Sequence, residues 1–168
     1  MENLFAPDCI RTYTGKYFNV FEPTLDMIDI IDIAHSLSQQ CRFGAHLPQF
    51  YSVAQHCCLT SELVPDALKL QALLHDASEA YILDFPSPIK KRFICYQQLE
   101  QKIMKLIAEK FNIDFPFHPE VKAADECMLV IEWHSIMLSD NEYLPIILSN
   151  PSVAKIIFLE LFSKYSTM

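Results

Sequence analysis

Apolar side chains recur three and four residues apart along most of the chain, the spacing of helices that bury one face. Ile30, Ile31, Ala34, Leu37 and Ser38 predict a first helix over about Asp29–Gln40, with Asp26 or Asp29 placing negative charge at its positive end. Ser52 is a good N-cap for a second helix to about Val64, with Val53, Cys57, Leu59, Thr60 and Leu63 on its apolar side. Pro65-Asp66 opens a third, to about Leu83, with Leu70, Leu73, Leu74 and Ala77 buried. Leu99, Ile103, Leu106, Ile107 and Phe111 mark a fourth over Tyr96–Phe111. Its lysines and Glu109 lie toward solvent. Val121, Ala124, Met128 and Ile131 mark a fifth over about Pro119–Leu138. Pro151–Tyr165 is a sixth, apolar over a wide arc that suits either core or a subunit contact.

Between these lie segments of another kind. Residues 1–28 read as an irregular or weakly extended lead-in. Arg11–Phe18 has strand-like composition and Gly15 marks a turn. Cys41–Pro48 is a loop, Asp84–Lys90 is a stiff exit loop with two prolines, and Ser139–Leu148 is a further loop. The expected fold is all-α: a bundle of about six helices, one domain over 1–168, with a short extended N-terminal segment.

Composition agrees. Of 168 residues 51% are hydrophobic and only Gly15 and Gly44 are glycine. The length suits one domain with a sizeable core. A net charge of −8 argues against a basic surface for nucleic-acid polymers. A small polyanion held by a metal and a few local cations is still allowed. Six cysteines without a CxxC pair read as reduced core thiols of a cytosolic protein. No apolar run has the length of a membrane span.

One stretch breaks the pattern. Leu73-Leu74-His75-Asp76-Ala77-Ser78-Glu79 puts three ionisable groups on about one turn of an otherwise apolar helix. Buried charge costs several kcal/mol unless it is paired or metal-bound, and a cation is the simplest partner. Two further residues join this pattern, and Glu79 takes a role of its own. His56 interrupts the second apolar face, where alone it would read as a core histidine. Asp125 interrupts the fifth, where it could cap a neighbouring helix, pair with Lys122 or complete a metal shell. Glu79, one turn beyond His75-Asp76, could shuttle or orient the proton of a water. Two imidazoles and two carboxylates suit Mn, Fe, Co, Ni or Zn. Such an ion acidifies water and polarises a phosphoryl oxygen. Arg42-Phe43 could grip phosphate and stack on a base or sugar, or be a salt bridge beside a core ring. Lys16 could touch phosphate or be an ordinary surface lysine. His35 reads as a core or partly exposed histidine, and His118 as loop or cap.

The combination His56 … His75-Asp76 … Asp125 resembles the signature of the HD-domain metal-dependent phosphohydrolases. With Arg42-Phe43, Tyr51–His56, Asp76–Glu79, Asp84–Lys90 and Lys122–Asp125, it resembles their small deoxynucleotidase branch over roughly residues 26–135. That branch includes bacterial 5′-deoxynucleotidases and phage-type dATP triphosphohydrolases. The resemblance implies His56, His75, Asp76 and Asp125 as metal ligands, and Glu79 with Asp125 as the catalytic carboxylates. It implies Arg42 and Lys90 toward phosphate, and Asp84 beside the sugar or the catalytic water. Phe43 stands where the bacterial monophosphatases commonly carry a Trp that crowds the 2′ position.

The expected function is metal-dependent hydrolysis of a deoxynucleotide at the phosphorus next to the sugar. A dATP-preferring triphosphohydrolase leads, with Lys16, Lys90 and Arg92 available to a long phosphate chain and a second ion such as Mg on the phosphates. A 5′-deoxynucleotidase acting on dNMPs is the same-fold rival. A non-catalytic nucleotide-binding HD module and a plain helical interaction protein are the other readings. The expected partners are a small nucleotide and further copies of the chain, with no nucleic-acid polymer and no membrane. The expected setting is the bacterial cytoplasm or that of a phage-infected host.

Overall fold

The computed structural model describes residues 6–140, 142–143 and 145–167. The first five residues of the lead-in, and Asn141 and Leu144 of the loop after the fifth predicted helix, lie outside them. The described residues are predominantly helical, with eight α-helices and one antiparallel pair of short strands. No helix among them is long and apolar enough to cross a membrane.

The lead-in forms a hairpin. Strand β1 (Cys9–Arg11) pairs with β2 (Tyr17–Asn19), with Ile10 opposite Phe18. Gly15 takes φ +91°, which a side chain would resist. Phe18 anchors the hairpin, fully buried and stacked on Tyr81 with ring centroids 3.9 Å apart.

Helix α1 (Ile30–Gln39) starts at Asp29, whose carboxylate accepts from the Ile31 amide. Its buried face differs from the predicted one: Ile33, Ala34 and Leu37 enter the core, while Ile31 is exposed. Asp32 is buried instead, because the hairpin covers it and Thr14 donates to it from its amide (2.6 Å) and hydroxyl (2.8 Å).

Helix α2 (Val53–Ser61) is capped by Ser52 as expected, with the Ser52 hydroxyl accepting from the Gln55 amide. It is the central element, packed on α1, on α3 (Lys69–Leu73), on α7 (Pro119–Glu132) and on α8 (Pro151–Tyr165). Nearly every α2 residue is buried, polar ones included. A helix enclosed on all sides has no solvent face, so its sequence cannot show a narrow apolar stripe. Leu63, assigned to that stripe, lies beyond the helix and is exposed.

The third predicted helix is broken. A 3-10 turn over Asp66–Leu68 leads into α3, which stops at Leu73, and α4 (Glu79–Ile82) begins after five turn residues. Hydrogen bonds between residues three apart carry the chain across the gap: Leu74 to Ala77, Asp76 to Glu79, Ala77 to Ala80. The exit loop contains one further helical turn, α5 (Ser87–Lys90), so the helical segments exceed the six expected. Helix α6 (Ile94–Phe111) delivers Ile103 and Ile107 to the core. Helix α7 ends at Glu132 and continues as a π-helical turn over Trp133–Met137, where a regular helix was expected. Helix α8 lies across α1, α2 and α3, with Ala154 and Phe158 inward. It leaves Val153, Ile156 and Ile157 on the surface.

Candidate metal centre and its cleft

The break between α3 and α4 shapes the site. On a regular helix, adjacent side chains diverge by about 100°. In the tightened turn, His75 Nε2 and Asp76 Oδ2 instead stand 3.3 Å apart. His75 is held from behind, donating from Nδ1 to the Ala72 carbonyl at 2.7 Å. His56, on α2, is held in the same sense, donating from Nδ1 to Glu132 Oε1 at 2.5 Å. Carbonyl and carboxylate oxygens only accept, so each ring carries a proton on Nδ1, and in its neutral form leaves a lone pair on Nε2.

Those two nitrogens face each other at 3.2 Å. Two lone pairs aimed at one another repel unless a cation or a proton stands between them. Asp125, on α7, brings Oδ1 to 3.1 Å from His56 Nε2 and 3.6 Å from His75 Nε2. Asp76 Oδ2 is 3.8 Å from His56 Nε2. Bonds of about 2.0–2.2 Å to one ion space its ligands by about 3–3.5 Å, so His56, His75 and Asp125 could hold a metal ion, with Asp76 3.3 Å from His75 beside them. The predicted ligands from α2, the α3–α4 turn and α7 are therefore brought together. Cys57, one residue on from His56, also lies in ligating range of His75 and Asp76. Burial pushes its thiol up to about 11, which leaves it a poor thiolate donor.

Electrostatics agree with a cation-binding centre. Burial opposes ionisation of Asp125, but hydrogen bonds to His56 and His75 outweigh it and hold the carboxyl well below its usual range. Burial also opposes ionisation of Asp76, and the charges of His75 and His56 reverse that. Burial opposes the imidazolium of His75 too, yet Asp76 and the other partners hold its pKa well above the ordinary value. Without an ion, a proton is the natural alternative occupant.

Glu79, at the start of α4, is buried beside this centre. Its Oε1 accepts from Lys90 Nζ at 3.2 Å, while Oε2 is buried without a hydrogen-bond partner. Burial first, then the charges of Asp76 and Asp84, push its pKa well up against the pull of Lys90. A buried carboxyl with one free oxygen beside a metal-type donor set is an acid–base candidate.

A cleft of 520 Å³ opens beside these groups, and Arg42, Asp76, Glu79, Asp84, Lys90 and Asp125 are among its lining residues. The substrate-contact residues from the sequence divide. Lys90 reaches the cleft, but its ammonium is also paired with Glu100. Asp84 reaches it too; burial and then Asp76 raise its carboxyl pKa. Phe43 lines it, with the Arg42 guanidinium 5.5 Å from its ring centroid.

Arg42 lies in the cleft wall, with Nε and Nη2 donating to Glu132 Oε2 at 3.1 and 2.9 Å. Nη1 stands 3.8 Å from Asp76. Burial works against its charge, but Glu132 and then Asp76 keep it protonated. Lys16 is a correction: it does not line the cleft. The Thr14–Asp32 bonds hold the hairpin on α1, and Lys16 Nζ lies 3.1 Å from Asp29 and donates to the Asp26 carbonyl. His35 stacks on Tyr13 with ring centroids 3.8 Å apart, outside the donor set as expected. His118 caps α7, its Nδ1 accepting from the Glu120 amide.

Sequence reasoning missed Glu132. It is fully buried at the end of α7 and accepts from Arg42, from the Tyr51 hydroxyl (2.7 Å) and from His56. A lone carboxylate there would cost several kcal/mol, but these donors satisfy both oxygens. Asp125, Met128 and Glu132 follow an i, i+3, i+7 spacing, and that shared face was the available signal. Glu132 fixes the His56 tautomer, and carboxylates behind ligating histidines typically matter 10–100-fold for metal affinity. Glu132→Gln is therefore expected to weaken metal binding by about 10–100-fold in a competitive chelator titration. Unchanged affinity would show that Glu132 only packs.

The comparisons carry no activity. No family model matches the chain. It is 43% identical over 143 residues to the uncharacterized protein YfdR of Escherichia coli (strain K12), covering 85% of this chain and 80% of that protein. The chain belongs to the YfdR family. An uncharacterized protein of Rhodobacter capsulatus is 29% identical over 140 residues, covering 75% of this chain and 71% of that one.

Proposed function

We propose that this YfdR-family protein is a metal-dependent phosphohydrolase of the HD type that acts on deoxynucleotides. One observation carries the reading. Two imidazole nitrogens stand 3.2 Å apart, and each lies 3.1–3.8 Å from a carboxylate oxygen of Asp76 and of Asp125, beside a buried glutamate with a free oxygen. The resemblance of His56 … His75-Asp76 … Asp125 to the HD signature supports it.

A divalent ion held by these four side chains would polarise a phosphoryl oxygen and acidify a water. The chain's own residues do the rest. Glu79 Oε2 takes the proton of a water directed at the phosphorus next to the sugar. Lys90 keeps Glu79 oriented through Oε1. Arg42 Nη1 faces the Asp76 side of the cleft, where it can meet a phosphate oxygen. The deoxynucleoside leaves with its O5′.

The lead form releases triphosphate from a dNTP, dATP first. The 5′-deoxynucleotidase form draws support from the cleft itself. Lys16 lies outside it, Lys90 is paired with Glu79 and Glu100, and Arg42 with Glu132. Those pairings leave little free positive charge for three phosphates. A non-catalytic nucleotide-binding module would have no use for the unpartnered Glu79 oxygen. The exposed apolar residues of α8 favour a homo-oligomer, and the six free cysteines fit a reducing cytoplasm.

The deciding experiment incubates the protein with Mn, Co, Zn or Mg and a panel of dNTPs, dNMPs and NTPs, then identifies the products. Triphosphate from dATP supports the lead form, and orthophosphate from dAMP supports the second. Stoichiometric metal with no turnover on any member of the panel would overturn the enzyme reading.

A further inference from the structure

Two backbone irregularities border the cleft, and each places an aromatic ring in its lining. The first is the turn after Arg42. Phe43, Gly44 and Ala45 have φ of 55°, 59° and 63°, three consecutive residues in left-handed conformation, of which one is glycine. Side chains resist this conformation, and such strain persists where surrounding structure enforces it, commonly at functional sites. Here it turns Phe43 into the cleft wall.

The second is the π-helical turn over Trp133–Met137. Asp125, Leu129, Trp133 and Met137 are four residues apart and all line the cleft. On a regular α-helix each four-residue step overshoots a full turn by about 40°, so three steps would carry the last residue off the cleft. A π-turn winds more slowly and returns the row to one face; such turns recur at functional sites. Trp133 is 45% exposed, and its ring lies 6.1 Å from that of Phe43, tilted by 49°. Phe85, Pro86, Leu129 and Met137 add apolar lining to the same cleft.

We infer that Phe43 and Trp133 together form the aromatic wall of a slot in the cleft, against which the substrate's nucleobase stacks, with Trp133 as the specificity-determining stacking surface. The inference rests on the nucleotide reading. A cleft that combines an aromatic wall with the cations and carboxylates around the donor set matches a molecule that is planar and aromatic at one end and anionic at the other. Base–aromatic stacking tolerates any base, so the slot selects for the presence of a base before its identity.

The chain has one tryptophan, so Trp133 reports directly. Its emission is followed in the wild-type protein, in chelator, during titration with 2′-deoxyadenosine or dAMP, and with ribose 5-phosphate or inorganic phosphate as probes without a base. The expected result is saturable quenching by the first pair only. No change with either, or equal change with phosphate, overturns the slot. Phe43→Leu keeps the reporter and is expected to weaken the quenching. In turnover, Trp133→Ala is expected to raise KM about tenfold, with kcat little changed and Trp133→Phe recovering most of the loss. Thermal melting checks that each variant is folded. If nucleotides are hydrolysed with KM unchanged in folded Trp133→Ala, the slot fails and the phosphohydrolase reading stands. If deoxyadenosine quenches but no nucleotide is hydrolysed, the slot stands and that reading fails.

Discussion

Asp76→Ala is expected to lose its metal and to reduce turnover to background. In the proposed site Asp76 supplies one of the four donor atoms, and its carboxylate lies 3.3 Å from His75 Nε2 and 3.8 Å from His56 Nε2. Removing it leaves two imidazoles and one carboxylate, a set with one ligand and one charge fewer for a divalent ion. The alternative reading of Asp76 is a partner for Arg42, 3.8 Å away. That reading predicts a folded variant with normal metal content, because Arg42 is already held by Glu132. Metal content per chain by elemental analysis, together with turnover on the best member of the nucleotide panel, separates the two. Retained metal and retained activity would remove Asp76 from the site.

Glu79→Gln should behave oppositely. Metal content and substrate affinity are expected to survive, because Glu79 is no part of the donor set, while kcat falls by about 10²-fold or more with the loss of a proton-transfer group. The same variant is expected to gain stability at neutral pH. The Glu79 pKa lies well above its ordinary 4.5 because of burial, then Asp76 and Asp84. As pH rises above 4.5, the unfolded chain gives up this proton while the folded chain still holds it. Wild-type stability therefore falls through that window, until the folded pKa is passed. Glutamine has no proton to lose, so the stability difference in favour of the variant grows with pH over the same range. Denaturant unfolding of chelator-treated protein at several pH values reads this out. A variant as active as wild type, or a stability difference that does not change with pH, would mean that Glu79 has another task. A residue that costs stability and supplies rate is the pattern of a functional site.

The donor types were legible in the chain because polar residues on apolar faces are costly enough to need a reason. His56, His75, Asp76 and Asp125 each interrupt a hydrophobic segment, and each reaches the centre. Glu132 also interrupts one, but on a helix expected to run on to about Leu138 a lone glutamate beside Trp133 reads as surface. Its burial follows from contact with Arg42 and His56, respectively 90 and 76 residues away in sequence. No local pattern encodes such a contact. Lys16 failed in the reverse direction. Its neighbourhood in sequence allowed a phosphate contact, and the docking of the hairpin on α1 placed it elsewhere.

Periodicity misled where its premise failed. The run Leu70, Leu73, Leu74, Ala77 fits one continuous helix, yet the chain breaks at Leu74 because both His75 and Asp76 must turn toward the same point. The face of α1 moved from Ile31 to Ile33 because the hairpin covers Asp32, which a helix read in isolation would leave in water.

The sequence alone determined the helical character, most of the helix positions, the chemical kind of each donor and the presence of a carboxylate beyond the His-Asp pair. Those depend on spacing within a few residues, where side-chain size and polarity act directly. Only the tertiary structure decided that the donors stand within one ion's reach, which nitrogen of each histidine is free, that Glu79 keeps an unpartnered oxygen, and that Phe43 and Trp133 share a slot. Each of those depends on distances between segments far apart in the chain, set by how whole helices pack around α2 rather than by any neighbour in sequence.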